Sequence, residues 1–422
     1  MDRSTLLYDW NTPDGAETFA WAGARVTVQD ETLRDGGQGA SVIDPPAGDK
    51  RVLLHLTAAL GVQSVNLGFP AAGARAAADV RALAYEIADA RLPLAATCPA
   101  RTVVEDIRPI VEATQATGVP IEIGLFIGSS PIRQAVEGWT LDDMRRRVAE
   151  VVSCAVSAGH QTMFVTEDTT RTAPETLVAL HATAIGAGAR RVCLCDTVGH
   201  ATPAGVARLV SFVRAHVGPD VAIDWHGHRD RGLGLANCLA AIETGADRVH
   251  ATALGLGERV GNVAMETLLL NLHLLGAHDH ALTGLPAYAA HASRIFGVPI
   301  PVGHPLVGGD AFATGAGVHA SAIAKARAAG DAWIADHVYS GFPPALVGRE
   351  QSVRVTRFSG HANVRWWLAD HGYDGVDSEI VEAILAAAKA SDRALSDDEI
   401  SNIVHRAGRN GTPSAPRRTP EA

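Results

Sequence analysis

The chain has 422 residues, 47% hydrophobic and 19% charged, with a formal net charge of −10 and a pI near 6. That length supports one large core with an appended region, and the acidic balance offers no basic stripe to nucleic acid and no attraction to an anionic membrane. No apolar run approaches the roughly 20 residues that span a bilayer, and the opening MDRSTLLYDWNTPDG lacks the cationic start and apolar stretch of a secretory leader. A cytoplasmic protein acting on small molecules is therefore expected, with neither nucleic acid nor membrane as partner.

In chain order, an arm over residues 1–23 is followed by short β-rich runs that alternate with Ala- and Leu-rich stretches of helical period. The strand candidates are ARVTVQD from Ala24, QSVNLGF from Gln63, LPLAATC from Leu92, IEIGLFIG from Ile121, QTMFVTED from Gln161, RRVCLCD from Arg190, VAIDWHGH from Val221 and DRVHATALG from Asp247. Between them, DKRVLLHLTAAL, ARAAADVRALAYEIADA, LDDMRRRVAEVVSCAVSAG and LGLANCLAAIETG read as helices, several with Gly near the end. Eight βα units in about 250 residues predict an α/β fold, a TIM (β/α)8 barrel over residues 24–276. Residues 277–409 then read as a connector and a small, mainly helical C-terminal region. The stretch GLPAYAAHASRIFGVPIPVGHPLVGG carries Pro and Gly too often for a long element, whereas GVHASAIAKARAAG and SEIVEAILAAAKASD read as helices. Residues 410–422, polar and Pro-rich, read as a disordered tail.

Five scattered cysteines, an odd number, argue for reduced thiols rather than a disulfide framework. Cys193 and Cys195 would face one side of a strand; no second pair follows, so they read as small buried residues rather than half of a soft-metal site.

Reactive groups of a TIM barrel sit at the C-terminal strand ends, and here those ends are polar. In HGHRD, one intervening residue places His226 and His228 on one face, where two neutral imidazoles can grip a cation; structural hydrogen bonding is the competing reading. Asp35 after the first strand and Asn262 after the eighth could add oxygens, since strands one, seven and eight are neighbours in a closed barrel. Each alone is equally a turn or cap residue. Such a mixed set with open positions suits Mg, Mn, Co or Zn and a chelating substrate. Arg34 could stabilise a developing oxyanion or merely form a surface ion pair.

The segments ETLRDGGQ, GFP, TEDTTRT, CDTVGH, HGHRD and GLGERVGN, in this order, resemble the DRE-TIM metallolyase superfamily, and within it the 2-isopropylmalate, homocitrate and citramalate synthase group. The likeness runs from about Val28 to Leu275 and continues more weakly in HPLVGGDAFATGAGVHAS and VYSGFPPALVGRE. What it implies is an acyltransferase that joins acetyl-CoA to a 2-oxo acid in a metal-dependent Claisen condensation. Asp35, His226, His228 and, less directly, Asn262 match metal ligands. Arg34 matches the arginine on the substrate oxygen, Glu167 an acidic residue near the acetyl group, and Thr197 a substrate-contacting threonine. His319 and Tyr339 match residues delivered by a partner's C-terminal region, which implies a homodimer. Gly255, Gly257 and Gly261 would let the loop approach the substrate or simply close strand eight, and Glu258 is a further candidate substrate contact.

Two positions depart from the group's pattern. Asn66 in NLGFP stands where the synthases usually carry glutamate, so a negative charge is expected to be lost. Arg133 in GSSPIRQ stands where many relatives have histidine. Both changes favour a doubly anionic 2-oxo acid such as oxaloacetate, 2-oxoglutarate, or phosphono- or phosphinopyruvate. The alternative is that Asn66 keeps a hydrogen bond to Arg34 and Arg133 pairs with a nearby carboxylate, leaving 2-oxoisovalerate open as in a 2-isopropylmalate synthase. A carbon–carbon lyase like HMG-CoA lyase is a further reading, against which His319 and Tyr339 argue.

Overall fold

Strand Ile121–Gly128 shows how the fold is built. Ile121, Ile123, Leu125 and Ile127 are buried on one face beneath the helices, while Glu122, Gly124, Phe126 and Gly128 alternate with them on the other, inside the barrel. The computed structural model describes residues 3, 6–11, 26–373 and 375–407. The chain divides into two units, Met1–His280 with Tyr288–Pro299, and Ala281–Ala287 with Ile300–Ala422.

In the first unit eight parallel strands close a barrel in sequence order. They are β1 (Thr27–Asp30), β2 (Ser64–Asn66), β3 (Ala95–Arg101), β4 (Ile121–Gly128), β5 (Thr162–Glu167), β6 (Arg191–Asp196), β7 (Ala222–Gly227) and β8 (Arg248–Ala251). Pairing of Val28 with Val249 closes the ring between β1 and β8. All eight expected strands form, although β3 begins three residues later than its apolar run because Pro93 lies in the approach to it. Helix Ala74–Asp89 shows the outer packing: Val80, Leu83, Ala84 and Ile87, at helical spacing, are its buried stripe. Each such residue contributes about 1.5–3 kcal/mol when fully buried, alanine less.

The barrel is closed below by charge rather than by aliphatic layers alone. Arg248 bonds Asp224 and Glu122, each at 2.6 Å, and Arg191 bonds Asp224 at 2.6 Å and Glu122 at 3.3 Å. These four side chains from β4, β6, β7 and β8 form a ring in which each ion faces two of opposite sign. Breaking such a set by removing one member leaves buried charge uncompensated, at a cost of about 3–5 kcal/mol.

One expectation is overturned between the units' main segments. Residues Leu285–Phe296, expected as connector, form a helix. Pro286 falls in its first turn, where its missing N–H costs nothing, and Gly297, at φ 68°, ends it. Leu285, Tyr288, Ala289, Ala292, Ile295 and Phe296 form its buried stripe.

In the second unit helices His361–Asp370, Ser378–Ala390 and Asp397–Ala407 share a core that includes Trp367, Ile384 and Ile400. Trp367 Nε1 donates to Asp397 at 2.8 Å. The expected helices form as Gly317–Ala328 and Ser378–Ala390. The expected disordered tail, residues 410–422, lies outside the described residues, as does residue 24 and most of the arm. No helix among the described residues is long and apolar enough to cross a membrane.

Candidate active site

The turn after β1 is fixed before any ligand arrives. Asp30, fully buried, accepts from the Thr32 amide, the Thr57 hydroxyl and the Tyr288 hydroxyl, each at 2.8 Å. That anchors the next residues, Glu31, Arg34 and Asp35, at the barrel mouth. Arg34 Nε donates to Glu31 Oε2 at 2.6 Å and its Nη1 lies 3.3 Å from Asp35 Oδ2. Asn66, from the end of β2, donates to both Glu31 oxygens at 3.1 and 3.2 Å, and Gln29 also donates to Glu31.

Asn66 therefore bonds Glu31, 2% exposed and paired with Arg34, and not Arg34 itself, which corrects the expected Asn66–Arg34 hydrogen bond. Arg133, on helix Pro131–Glu137 after β4, lies 3.3 Å from Glu167 and 3.1 Å from Glu137. Its charge is paired with nearby carboxylates, the alternative given for this position.

Asp35, His226 and His228 come together as expected: their ligating atoms lie within 4.8 Å of one another. Asp35 Oδ2 is 3.1 Å from His226 Nε2 and 3.5 Å from His228 Nε2. A test of whether these residues fit a cation comes from the protons behind them. His250 Nε2 lies 3.0 Å from Asp224, so it carries the proton that the carboxylate requires. Its Nδ1 lies 3.3 Å from His226 Nδ1, which orients the His226 ring with Nε2 toward Asp35. Burial pushes His226 down to about 4, which keeps the ring neutral near pH 7. Burial opposes the Asp35 anion, but Arg34 and the two imidazoles outweigh it and hold this carboxyl well below its usual range. The residues therefore fit a divalent metal with nitrogen and oxygen ligands.

Asn262 is 1% exposed and pairs with His228 across an isolated bridge. Its Nδ2 donates to the Leu256 carbonyl at 3.1 Å, and its Oδ1 has no protein partner. Gly257 has φ 145°, and a β-carbon there would lie 2.2 Å from Asn262 Nδ2 and 2.9 Å from Asp35 Oδ1. The Glu258 amide donates to Asp35 Oδ1 at 3.3 Å. Leu254 sits at φ 55°, a strained conformation for a branched residue, held by its amide bonding to Glu266 at 3.0 and 3.1 Å.

These groups surround a cavity of about 330 Å3 at the C-terminal ends of the strands. Arg34, Asp35, Asn66, Glu167, Thr197, His226, His228 and Glu258 all line it. Thr197 Oγ1 accepts from the Asp168 amide at 2.8 Å. Burial raises the Glu167 carboxyl, Arg133 works against that rise, and Asp168 and Glu137 add to it. His319 and Tyr339 lie in the second unit, where their rings stack at 3.9 Å.

Sequence reasoning missed three contributors: Glu31, His250 and the sulfur-bearing wall. Glu31 stood in the quoted ETLRDGG, and its place three residues before Arg34 was the available signal. His250 gave no signal beyond its place in the eighth strand. Cys193 and Cys195 are buried free thiols as expected, but they also line the cavity.

A family model described as HMGL-like matches residues 25–288. The chain is 31% identical to homocitrate synthase AksA of Methanopyrus kandleri over 90% of this chain and 91% of that protein. It is 29% identical to a 2-isopropylmalate synthase of Halalkalibacterium halodurans over 90% of this chain and 73% of that protein. The barrel also resembles the solved HMG-CoA lyase from Brucella melitensis, with TM-score 0.54 and 22% identity over 64% of this chain and 99% of that one.

Proposed function

Because this chain belongs to the HMGL-like family, within the DRE-TIM metallolyase superfamily, we propose that it is an acyltransferase that condenses acetyl-CoA with a 2-oxo acid, releasing CoA and a 2-substituted malate. The observation that supports this best is the convergence of Asp35, His226 and His228 beside Arg34, across one cavity from Glu167. The named relatives are synthases, whereas the likeness to HMG-CoA lyase is one of fold.

When bound by Asp35, His226 and His228, with Asn262 as a further candidate oxygen, a divalent metal such as Mn, Mg, Co or Zn would act as a Lewis acid on the 2-oxo group. Arg34, held in place by Glu31, donates to the oxygen that becomes an alkoxide as the new carbon–carbon bond forms. Glu167 takes a proton from the acetyl methyl group, and its raised affinity for protons brings it closer to that task than an exposed glutamate. Thr197 and the Gly257–Glu258 backbone position the acid's carboxylate. Water then cleaves the thioester. His319 and Tyr339, supplied by the second subunit of a homodimer, are proposed to hold a water that is the alternative to Glu167 as the base for the methyl proton.

The choice of 2-oxo acid is a finer question. A homocitrate synthase and a 2-isopropylmalate synthase are relatives at 31% and 29% identity, so likeness alone does not select the side chain. A doubly anionic acid, the expectation drawn from Asn66 and Arg133, would need a cation free to meet its second charge; Arg133 is engaged by Glu167 and Glu137. Thiol release from acetyl-CoA in the presence of Mn and a panel of 2-oxo acids tests the proposal. Release with at least one acid, dependent on Arg34, is expected; none with any acid would sink the assignment.

A further inference from the structure

Two thiols of β6 stand together on the cavity wall, and the acyl-transfer reading gives neither of them a task. Cys193 and Cys195 are separated by one residue of the strand, so their side chains point the same way, and their sulfurs lie 3.9 Å from each other. Both are free and buried, and both line the cavity. Glu167 at the end of β5 and Thr197 after β6 line the same side, but each has a partner of its own: Arg133 lies 3.3 Å from Glu167, and the Asp168 amide donates to Thr197 at 2.8 Å.

The spacing of the sulfurs fits a shared ion better than a disulfide. Residues i and i+2 of a strand stand about 6.6 Å apart at their α-carbons. That is the far end of the roughly 4.4–6.8 Å that a disulfide tolerates, and β6 is pinned by pairing to β5 on one side and β7 on the other. Two sulfurs on one tetrahedral ion at about 2.3 Å stand about 3.8 Å apart. The 3.9 Å found here is close to that separation without any movement of the strand.

The surroundings select the ion. Met163 of β5 belongs to one buried cluster with the two cysteines, so the next donor at hand is a thioether. Among the described residues, no third His, Cys, Asp or Glu joins the pair with all ligand atoms within 4.8 Å of one another. A structural zinc completes four such ligands, whereas two thiolates and a thioether are the soft set that monovalent copper takes. Charge agrees with this choice. Copper(I) on two thiolates carries one net negative charge, and Cys195 lies near enough to Arg34 for a thiolate there to attract the guanidinium. Arg248 Nη2 lies 3.4 Å from Met163 Sδ. Burial keeps the Cys193 thiol protonated in the free chain, and coordination to a metal removes such a proton outright.

We propose that Cys193 and Cys195, with Met163, form a second metal site on the cavity wall, separate from Asp35, His226 and His228, and that it captures a soft monovalent ion, copper(I). As the ion binds, each thiol releases its proton to solvent and two copper–sulfur bonds form. The copper stays monovalent, so neither oxidant nor reductant is consumed.

The test is an anaerobic titration of the full chain, in excess Mn to fill the Asp35 site, with copper(I) buffered by a coloured copper(I) chelator. The wild-type chain should hold one equivalent, with sulfur-only coordination in the copper X-ray absorption spectrum. Cys193→Ser and Cys195→Ser should each lose it. Met163→Leu, which keeps the volume but not the sulfur, should hold it more weakly. Cys98→Ser, which removes the remaining thiol of the cavity lining, should bind as the wild type does. No tightly held equivalent in the wild type, nitrogen ligands in its spectrum, or retention in both serine variants overturns the proposal. The readout needs no substrate, so it is independent of the acyl-transfer reading.

Discussion

Glu31 and Arg34 face each other across 2.6 Å at the end of β1, and Asn66 of β2 donates to the same carboxylate. The guanidinium is thus held by a charge from its own strand. Glu31→Gln removes that charge and frees Arg34 to turn toward Asp35. We expect kcat/KM to fall about 100-fold or more, with the fold kept. Adding Asn66→Glu to Glu31→Gln restores an anion next to Arg34 and should recover much of the loss. A double variant no better than the single would show that Glu31 acts otherwise.

Metal binding should be visible without turnover. A hundredfold excess of Mn over its Kd stabilises a specific site by about 2.7 kcal/mol, so the melting temperature should rise on adding Mn to chelator-treated protein. In His228→Ala the rise should shrink or vanish. An unchanged rise in that variant would place the ion elsewhere.

Gly257 lets the loop after β8 pass against two of the candidate ligands. Gly257→Ala would press on Asn262 and Asp35 from 2.2 and 2.9 Å and strain a backbone at φ 145°. Mn affinity, measured by titration, should fall at least about 10-fold. Wild-type affinity in this variant would remove Asn262 and the loop from the site.

The Glu167 carboxyl is raised by burial, lowered by Arg133, and raised again by Asp168 and Glu137. Removing the cation leaves only the raising influences, so Arg133→Ala should move the acid limb of the kcat/KM profile to higher pH. Glu167→Gln should lower kcat by about 100- to 10,000-fold. An acid limb unmoved in Arg133→Ala would mean that a group other than Glu167 is the base.

Glu266 beneath the Leu254 turn is pushed up to about 7 by burial, against 4.5 for a free glutamate, despite the Leu254 amide that favours its anion. The folded chain therefore holds this proton more tightly than the unfolded one. Stability falls as pH rises from near 4.5 and the loss is complete above about 7, amounting to about 3 kcal/mol. Glu266→Gln should flatten the change in melting temperature between pH 5 and pH 8. An equal slope in both proteins would show that the carboxyl is already ionised at pH 5.

Much of the barrel was legible because strand alternation and helical stripes are local patterns. The Leu285–Phe296 helix was hidden by Pro286 and the glycines around it, although its apolar spacing was present. The candidate metal site was legible because HGH places His226 and His228 on one strand face. The partner of Asn66 was misread because it depends on how β1 registers against β2, Asp30 beside Val65, which no local pattern reveals. The same holds for His250, whose value arises only when β7 and β8 bring it against His226 and Asp224. Cys193 and Cys195 read as filler because an apolar wall and an apolar core have the same composition.

The four-ion ring of Glu122, Arg191, Asp224 and Arg248 has a kinetic consequence. It closes the lower end of the barrel, so the cavity opens at the C-terminal ends of the strands. If the acyl-transfer proposal holds, both substrates share that opening, and initial-rate kinetics should show intersecting rather than parallel lines; parallel lines would mean that the acetyl group is first passed to the protein.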